Sequence, residues 1–292
     1  MNKNPRLKKR LMVMFIILIC FLFTMAKLIH SKNCLEKKED VIRIGTYNMM
    51  FGMYGKSGPF NILGHLAFHG VHSVFLTKML SVFNKPTASL IKNANLDIVV
   101  LNEVLGTLRK DVLIKELNKT GFKYFCWGPA NHYQAPLDLG TLVASKYPAE
   151  KLNFSMTQSN KVGGGGGVCA IYIKDKNLVI IGVHLGQNEE LAGQEITEIA
   201  SFIKEQQKKE REVLLVGDFN REEKELNKYP DFKNLSLVGA NRKKTCPNIK
   251  ETKLFYFESV DNIYHNKSVE REKSCVVEGY SDHLLVWADL KI

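Results

Sequence analysis

The sequence contains few cysteines, and their spacing indicates neither a zinc site nor a dithiol motif. The 292-residue chain has six cysteines, with no C-x-x-C pair and no zinc-ligand spacing. Cys20 lies within an apolar run, and a bridge between Cys246 and Cys275 is one conceivable pairing among the other five. Sequence alone does not establish that pairing, so the cysteines predict no function.

A phosphate-binding loop of the P-loop type is also missing. Residues 163–167 are five consecutive glycines, whose backbone amides could cradle a phosphate. The run lacks the Gly-Lys-Ser/Thr ending and the following helix of a P-loop, and a strand-like segment follows it instead. A flexible hairpin loop is therefore the expected structure.

The N-terminal segment has no acidic residue before Glu36. Five basic residues precede the apolar run at 11–26, which fits either a cleaved signal peptide or an uncleaved membrane anchor extending over 11–29. We favour an anchor within 1–30, a polar linker at 31–40 and one domain at 41–292 outside the cytoplasm, with secretion as the alternative. The net charge of +11 falls to about +6 without those five residues, which favours anionic partners only weakly.

The apolar patterning after residue 40 predicts a domain of the α/β class. Segments rich in β-branched and aromatic residues predict strands at 41–49, 97–101, 122–127, 140–145, 167–173, 178–184, 213–216, 254–264 and 284–290. Helices are predicted at 77–94, 105–119, 189–209 and 222–227. Strands and helices alternate first and strands dominate later, which predicts an α/β sandwich whose helices cover its sheets.

Polar side chains stand where many of these strands begin or end, and strand ends meet at one edge of a sandwich. The set comprises Asn48, Glu103, His184, Asp218, Asn220, Asp261, Asp282 and His283. Carboxylate and amide oxygens suit Mg²⁺ or Mn²⁺, and histidines paired with acids transfer protons near neutral pH. Asp218 and Asn220 lie two residues apart and would point the same way on an extended backbone. The set predicts a site for phosphoester hydrolysis.

Residues 50–85 form a long apolar segment with little charge. The segment holds His65, His69 and His72 at helical spacing, which could bind a transition metal, but no acidic residue is nearby. Its apolar side chains favour a substrate rim or a contact with a membrane.

Seven short motifs are similar in sequence and order to those of the endonuclease/exonuclease/phosphatase superfamily. They read TYNM, LNEV, GTLVASKYP, VHLGQ, VGDFN, VDNIY and SDHLLV. The superfamily includes pancreatic deoxyribonuclease, abasic-site endonucleases, secreted sphingomyelinases and inositol-polyphosphate phosphatases, and the resemblance spans about residues 41 to 292. It implies a four-layer α/β sandwich of two facing mixed β-sheets, as in deoxyribonuclease I.

The resemblance also implies a role for each polar residue. Glu103 would hold Mg²⁺, with Mn²⁺ as a substitute, beside Asn48 and a second metal-side carboxylate, Asp282. His283, oriented by Asp261, would activate the attacking water or contact the phosphate. The remaining residues would position or deprotonate the nucleophile, or contact the phosphoryl oxygens: Asp218 in the first role, Asn220 and His184 in the second.

Departures from the superfamily pattern weigh against a DNA-repair enzyme. Met50 stands where abasic-site endonucleases carry an acid, and Asp138, with Tyr133 nearby, stands where nucleases often carry a tyrosine. The sequence therefore predicts a monomeric Mg²⁺-dependent phosphodiesterase, membrane-tethered or secreted, that acts on phospholipid headgroups. An exported nuclease acting on DNA or RNA is the alternative. An inactive membrane-tethered binding module is the second alternative, which the complete set of polar residues disfavours.

Overall fold

Two six-stranded β-sheets face each other in the computed structural model of the chain, which describes residues 36–49, 84–130, 139–156, 165, 167–247, 256–279, 281 and 283–292. The strands are β1 (Ile42–Asn48), β2 (Ile98–Leu105), β3 (Tyr124–Pro129), β4 (Leu139–Ser145), β5 (Glu150–Leu152), β6 (Gly167–Ile173), β7 (Leu178–His184), β8 (Glu212–Asp218), β9 (Val238–Gly239), β10 (Cys246–Pro247), β11 (Tyr256–Glu258), β12 (Asp261–His265), β13 (Glu270–Val277) and β14 (Leu285–Lys291). The helices are α1 (Asn84–Asn93), α2 (Gly106–Asn118), α3 (Glu189–Lys208), α4 (Glu223–Leu226) and α5 (Pro230–Asn234), with one 3₁₀ turn at Lys174–Lys176.

Both large sheets are mixed. The first has the strand order β13-β14-β1-β2-β4-β3, and the second has the order β5-β6-β7-β8-β12-β9. Within them β1 runs parallel to β2 and β7 runs parallel to β8, whereas the other paired strands are antiparallel. Helix α2 packs on β2 and helix α3 packs on β8, so helices cover the outer face of each sheet. The predicted four-layer α/β sandwich is confirmed.

The main core lies between the two sheets and consists of the inward-facing side chains of their central strands. Ile44, Val100 and Val143 from the first sheet meet Ile180 and Val216 from the second, and all five are fully buried. A second cluster joins the outer face of the second sheet to helix α3 through Ile196, Ile199, Ile203, Val213 and Leu215. Burial on both faces explains why β8 reads as a continuous apolar run rather than an alternating one.

The strands differ from the sequence-based prediction mainly at the edges. The single strand predicted at 254–264 is wrong, because β11 pairs with β10 in a small separate sheet while β12 pairs with β8. Strand β13 went unpredicted, since its sequence EREKSCVV carries four charged residues. That composition suits an edge strand, where charge protects the exposed backbone from pairing with another chain.

The cysteine pairing differs from the suggested one. Cys246 is not disulfide-bonded, so the conceivable Cys246–Cys275 bridge is absent, and Cys275 is disulfide-bonded elsewhere. Cys126 on β3 and Cys169 on β6 form a disulfide that joins the two facing sheets, with a Cα–Cα distance of 6.1 Å. This bridge depends on which strands face each other, and spacing along the chain does not show that.

The disulfide between the sheets is expected to stabilise the sandwich. The C126A/C169A variant should lose about 2–4 kcal/mol of unfolding free energy, because the bridge closes a loop of 43 residues in the unfolded chain. Urea unfolding of the full chain in detergent, without reductant, measures this loss. A midpoint equal to that of the wild type would contradict the expectation.

Several sequence-based predictions concern residues outside the described part of the chain. They include the N-terminal segment 1–30, most of the linker, the apolar insert with its three histidines through residue 83, and most of the glycine run. Among the described residues, no helix has both the length and the apolar character needed to cross a bilayer.

Candidate active site

Seven of the eight predicted site residues lie at one edge of the sandwich. Asn48 ends β1, Glu103 lies in β2, His184 ends β7 and Asp218 ends β8. Parallel strands end at the same edge of a sheet, so each parallel pair brings two of these residues side by side. Strand β12 runs antiparallel to β8, and its first residue, Asp261, pairs with Asp218 in register.

A histidine–aspartate pair forms the most buried part of this site. His283 Nδ1 lies 2.8 Å from Asp261 Oδ2. Asp261 is fully buried, and burial raises the pKa of its carboxyl, with the charge of His283 opposing this effect and that of Asp218 adding to it. A carboxylate at Nδ1 favours a proton on that nitrogen, which leaves Nε2 to accept or release one.

The Nε2 atom of His283 faces two side chains. It lies 3.8 Å from Asp218 Oδ2 and 3.4 Å from the sulfur of Cys246 on β10. The sequence offered no signal for the cysteine contact, because Cys246 lies 37 residues from His283 and in no recognisable motif. The thiol therefore lies beside the ring nitrogen of His283 that does not face Asp261.

A second group gathers two carboxylates around an asparagine. Asn48 Nδ2 donates to Glu103 Oε1 at 3.1 Å and to Asp218 Oδ2 at 2.9 Å. His184 Nε2 lies 3.6 Å from Asp218 Oδ2 and 3.9 Å from Glu103 Oε1. Asp218 Oδ2 therefore lies close to both Asn48 and His283, so six of the predicted residues lie together at this edge.

Two site residues have a backbone conformation that is uncommon for residues other than glycine. Glu103 has φ 54° within an irregularity of the β2–β4 pairing, and Asn220 has φ 50° directly after β8. Such conformations cost on the order of 1–3 kcal/mol and cluster at functional sites. At Glu103 the kink turns a strand residue toward the site edge, where its side chain is 15% exposed.

The described residues fit a hard divalent cation beside Glu103. Two carboxylates, Glu103 and Asp218, approach the same amide nitrogen, and this oxygen-rich set is of the kind that Mg²⁺ prefers. Asp218, Asp261 and His283 also offer ligand atoms within 4.8 Å of one another. In that trio, however, Asp261 already binds His283 Nδ1, which favours proton transfer over metal binding.

Asn220 reaches the site by a route other than the predicted one. Strand β8 ends at Asp218, and the left-handed conformation of Asn220 means that the two side chains do not share one extended face. Instead the backbone N–H of Asn220 donates to Asp218 Oδ1 at 2.8 Å, and its side-chain Nδ2 donates to Leu185 O at 2.7 Å. An amide nitrogen carries two hydrogens, so one donor is left for a ligand.

Gly217 explains the break in the apolar run before Asp218. Its φ is 154°, and a Cβ atom there would lie 1.8 Å from the carbonyl oxygen of Val183 on the neighbouring strand β7. Only glycine allows the two parallel strands to approach this closely next to the site.

Asn102 lies between the two sheets and binds the backbone of Asp218. The sequence analysis gave it no role. Its side chain is fully buried between the sheets, donates to Val183 O at 2.8 Å and to Thr141 Oγ1 at 3.0 Å, and accepts from the Asp218 N–H at 3.1 Å. The one feature of the sequence that could have indicated its role is its place directly before Glu103 in an otherwise apolar strand.

The Asn102→Ala variant is expected to lower activity by about 10- to 100-fold, because Asp218 loses the group that fixes its backbone. Thr141→Val is the matched control, since it removes another partner of Asn102 and leaves the contact with Asp218 intact. The control should lose less than about threefold. Equal losses of kcat/KM in the two variants would contradict a role through Asp218.

Four residues that the sequence analysis used to predict the function lie outside the described part of the chain. They are the predicted metal-side carboxylate Asp282 and the positions compared with the superfamily pattern, namely Met50, Tyr133 and Asp138. Their predicted roles stay predictions.

Comparison with known protein families identifies the chain. The model of the Endonuclease/Exonuclease/phosphatase family matches residues 46–283, a span that contains every predicted site residue. The chain belongs to this family. Family members are typically phosphoester hydrolases, and the acids, amides and histidines at this edge suit that chemistry. No curated protein matches the sequence.

Solved structures of the family share the fold at low sequence identity. A family protein from Leptotrichia buccalis matches with a TM-score of 0.59 and 15% identity, over 86% of this chain and 100% of that one. An AP endonuclease from Archaeoglobus fulgidus matches with a TM-score of 0.58 and 14% identity, over 86% and 100%. A mannosyl-6-phosphatase from Bacteroides thetaiotaomicron matches with a TM-score of 0.53 and 14% identity, over 86% and 100%. Similarity at this level shows the fold, and the names of these proteins span different substrates.

Proposed function

We propose that this family member is a Mg²⁺-dependent phosphodiesterase that uses the His283–Asp261 pair to activate water. One observation carries the proposal: Asp218 Oδ2 lies 3.8 Å from His283 Nε2 and also accepts from Asn48, which in turn donates to Glu103. A proton acceptor and a cation-binding group therefore border the same space, as attack of water on phosphorus requires.

The side chains divide the chemistry between them. Glu103, with Asn48 and the predicted Asp282, would hold Mg²⁺ or Mn²⁺, which supplies positive charge to the phosphoryl oxygens when bound. His283 Nε2 accepts the proton of the attacking water while Asp261 stabilises the resulting imidazolium through Nδ1. Asp218 orients that water.

Two side chains supply hydrogen-bond donors to the phosphate. His184 Nε2 and the remaining amide hydrogen of Asn220 donate to the phosphoryl oxygens as their negative charge grows. His184 ends β7, and Asn220 is held after β8 by its bonds to Asp218 and Leu185, which fixes both donors before the substrate arrives.

Hydrolysis of small esters tests the proposed reaction. The purified full chain in detergent should cleave bis(4-nitrophenyl) phosphate faster than 4-nitrophenyl phosphate with Mg²⁺ or Mn²⁺, and chelation with EDTA should abolish the activity. No cleavage of either ester with metal present would refute a phosphoester hydrolase. Preferential cleavage of the monoester would refute the diester preference alone.

A phospholipid headgroup is our first candidate substrate. The apolar segment 50–85 and the apolar run 11–29 motivate it, because both would place the site near a membrane. Hydrolysis of radiolabelled sphingomyelin compared with plasmid DNA, in one preparation, separates a lipid enzyme from a nuclease.

An exported nuclease is the second candidate, and a basic loop favours it. Arg242 and Lys243 are exposed on a loop whose backbone is held beside the site by Asn241, which donates to the carbonyl oxygens of Lys243 and Asp261. Two exposed cations on a loop that is bonded to the backbone of Asp261 suit a polyanionic strand. Cleavage of DNA that weakens in the R242A/K243A variant would favour this candidate.

We place the catalytic domain outside the cytoplasm. The Cys126–Cys169 disulfide supports that location, since disulfides persist mainly in oxidising compartments. Labelling of intact cells with a membrane-impermeant reagent against an epitope at the C-terminus should succeed, and labelling only after lysis would refute the placement.

A further inference from the structure

A buried acid on α3 lies behind the loop that follows His184. Glu195 is fully buried, and its Oε2 accepts from the backbone N–H of Gly186 at 2.8 Å. Its other oxygen, Oε1, is buried and has no hydrogen-bond partner among the described residues. The proposed reaction leaves this carboxyl unused, although a buried, half-satisfied acid is costly to keep.

Arg221 holds the same loop from the other side. It follows Asn220 directly, is 8% exposed, and donates from Nη1 to Gly186 O at 2.6 Å and from Nη2 to Gln187 O at 3.1 Å. Gly186 is therefore bound through its N–H by an acid on α3 and through its carbonyl by a base from the loop after β8.

Two more contacts complete this arrangement. Asn220 Nδ2 donates to Leu185 O, and the N–H of Leu185 donates to Asp218 O at 3.0 Å. Gly165 packs against the same segment, and a Cβ atom there would lie 2.6 Å from the backbone of Gly186. The segment Leu185–Gln187 is thus held by bonds from several elements, and it connects directly to His184.

We propose that Glu195 and Arg221 act together as positioning residues, which clamp the Leu185–Gln187 loop and so hold His184 and Asn220 in place. The purpose of this positioning depends on the proposed function. The clamp itself depends only on the hydrogen bonds described above. An ionised Glu195 accepts the Gly186 N–H as a charge-assisted bond and attracts Arg221, whereas a protonated one accepts it more weakly.

Glu195 changes its charge in the physiological range. Burial raises the pKa of its carboxyl to about 7, the Gly186 N–H and the Arg221 guanidinium oppose that rise, and Glu198 on the same helix adds to it. The loop residues Leu185, Gly186 and Gln187 bring no ionisable side chain. Asp231 on the adjoining α5 is engaged with Thr197 and Lys204 instead. The clamp is therefore expected to tighten as the pH rises through about 7.

The direct test follows the Gly186 amide by NMR in full-length protein labelled with ¹⁵N-glycine. In the wild type its amide proton shift should titrate with a midpoint near 7, and in Glu195→Gln it should not. Glutamine keeps one acceptor oxygen and nearly the same shape, so this variant removes the titrating charge and places an amide NH₂ where the second oxygen was. A Gly186 shift that is flat in the wild type, or titrates equally in both proteins, would overturn the clamp, whether or not the protein hydrolyses phosphoesters.

The kinetic test compares pH profiles of kcat with bis(4-nitrophenyl) phosphate. The ratio of Glu195→Gln to wild type should lie near one at about pH 5.5 and fall to about one tenth at about pH 8.5. A ratio that is constant with pH would overturn the positioning role, since a general packing defect does not follow the charge of one carboxyl. If the wild-type protein hydrolysed no ester, the proposed function would be refuted. The Gly186 titration would still show whether the clamp exists.

Discussion

His283→Ala is expected to lower kcat/KM by about a thousandfold or more, equivalent to about 4 kcal/mol of transition-state stabilisation. The imidazole is 7% exposed, bound at Nδ1 by a fully buried carboxylate, and directed through Nε2 toward the space between Asp218 and Cys246. Alanine removes the proton acceptor, which slows the reaction. It also leaves the Asp261 carboxyl buried without its partner, which destabilises the charged form of that carboxyl.

His265→Ala is the matched control for this variant. His265 is also buried and lies on β12 together with Asp261, but at the other end of the strand, where its Nδ1 contacts the carbonyl of Asn266. The control should retain activity within about threefold below its melting temperature. A loss of less than tenfold in His283→Ala, in protein that melts cooperatively, would exclude His283 as the proton acceptor.

Glu103→Ala is expected to remove most activity at ordinary Mg²⁺ concentrations and to raise the Mg²⁺ needed for half-maximal rate by about 10- to 100-fold. Glu103 is the more exposed of the two carboxylates that approach Asn48, and its left-handed backbone turns it toward the site edge. The substitution leaves His283 and Asp261 untouched, so added metal should restore part of the rate.

Titration of the rate with Mg²⁺ and with Mn²⁺ checks this expectation. Glu116→Ala serves as the control, because Glu116 is an acid on α2 that pairs with Lys119 at the surface. The control should give the wild-type titration. An unchanged Mg²⁺ midpoint in Glu103→Ala would refute its assignment as a metal ligand, and the Asp218–Asp261–His283 trio would then be the better candidate site.

The sequence by itself determined the sheets' main strands and gave the candidate residues of the site, whose roles stay predictions. Apolar runs such as Val213–Val216 are local signals, since a strand buried on both faces needs only its own side chains to be recognised. The order of the motifs identified the family, and through the family the sandwich. The sequence placed Asn48, His184 and Asp218 at strand ends. His184 meets Asp218 because β7 and β8 are parallel neighbours, whereas Asn48 meets them because the two sheets face each other.

Only the tertiary structure decided the contacts that join distant strands. The Cys126–Cys169 bridge and the burial of Asn102 between the sheets depend on which strands face each other. The contact of Cys246 with His283 depends on β10 leaving the main sheets. The left-handed backbones of Glu103 and Asn220, and the clamp formed by Glu195 with Arg221, arise from packing between loops that a local pattern does not encode. Local periodicity fixes which residues are buried, whereas pairing partners are set by the free energy of the whole packed domain.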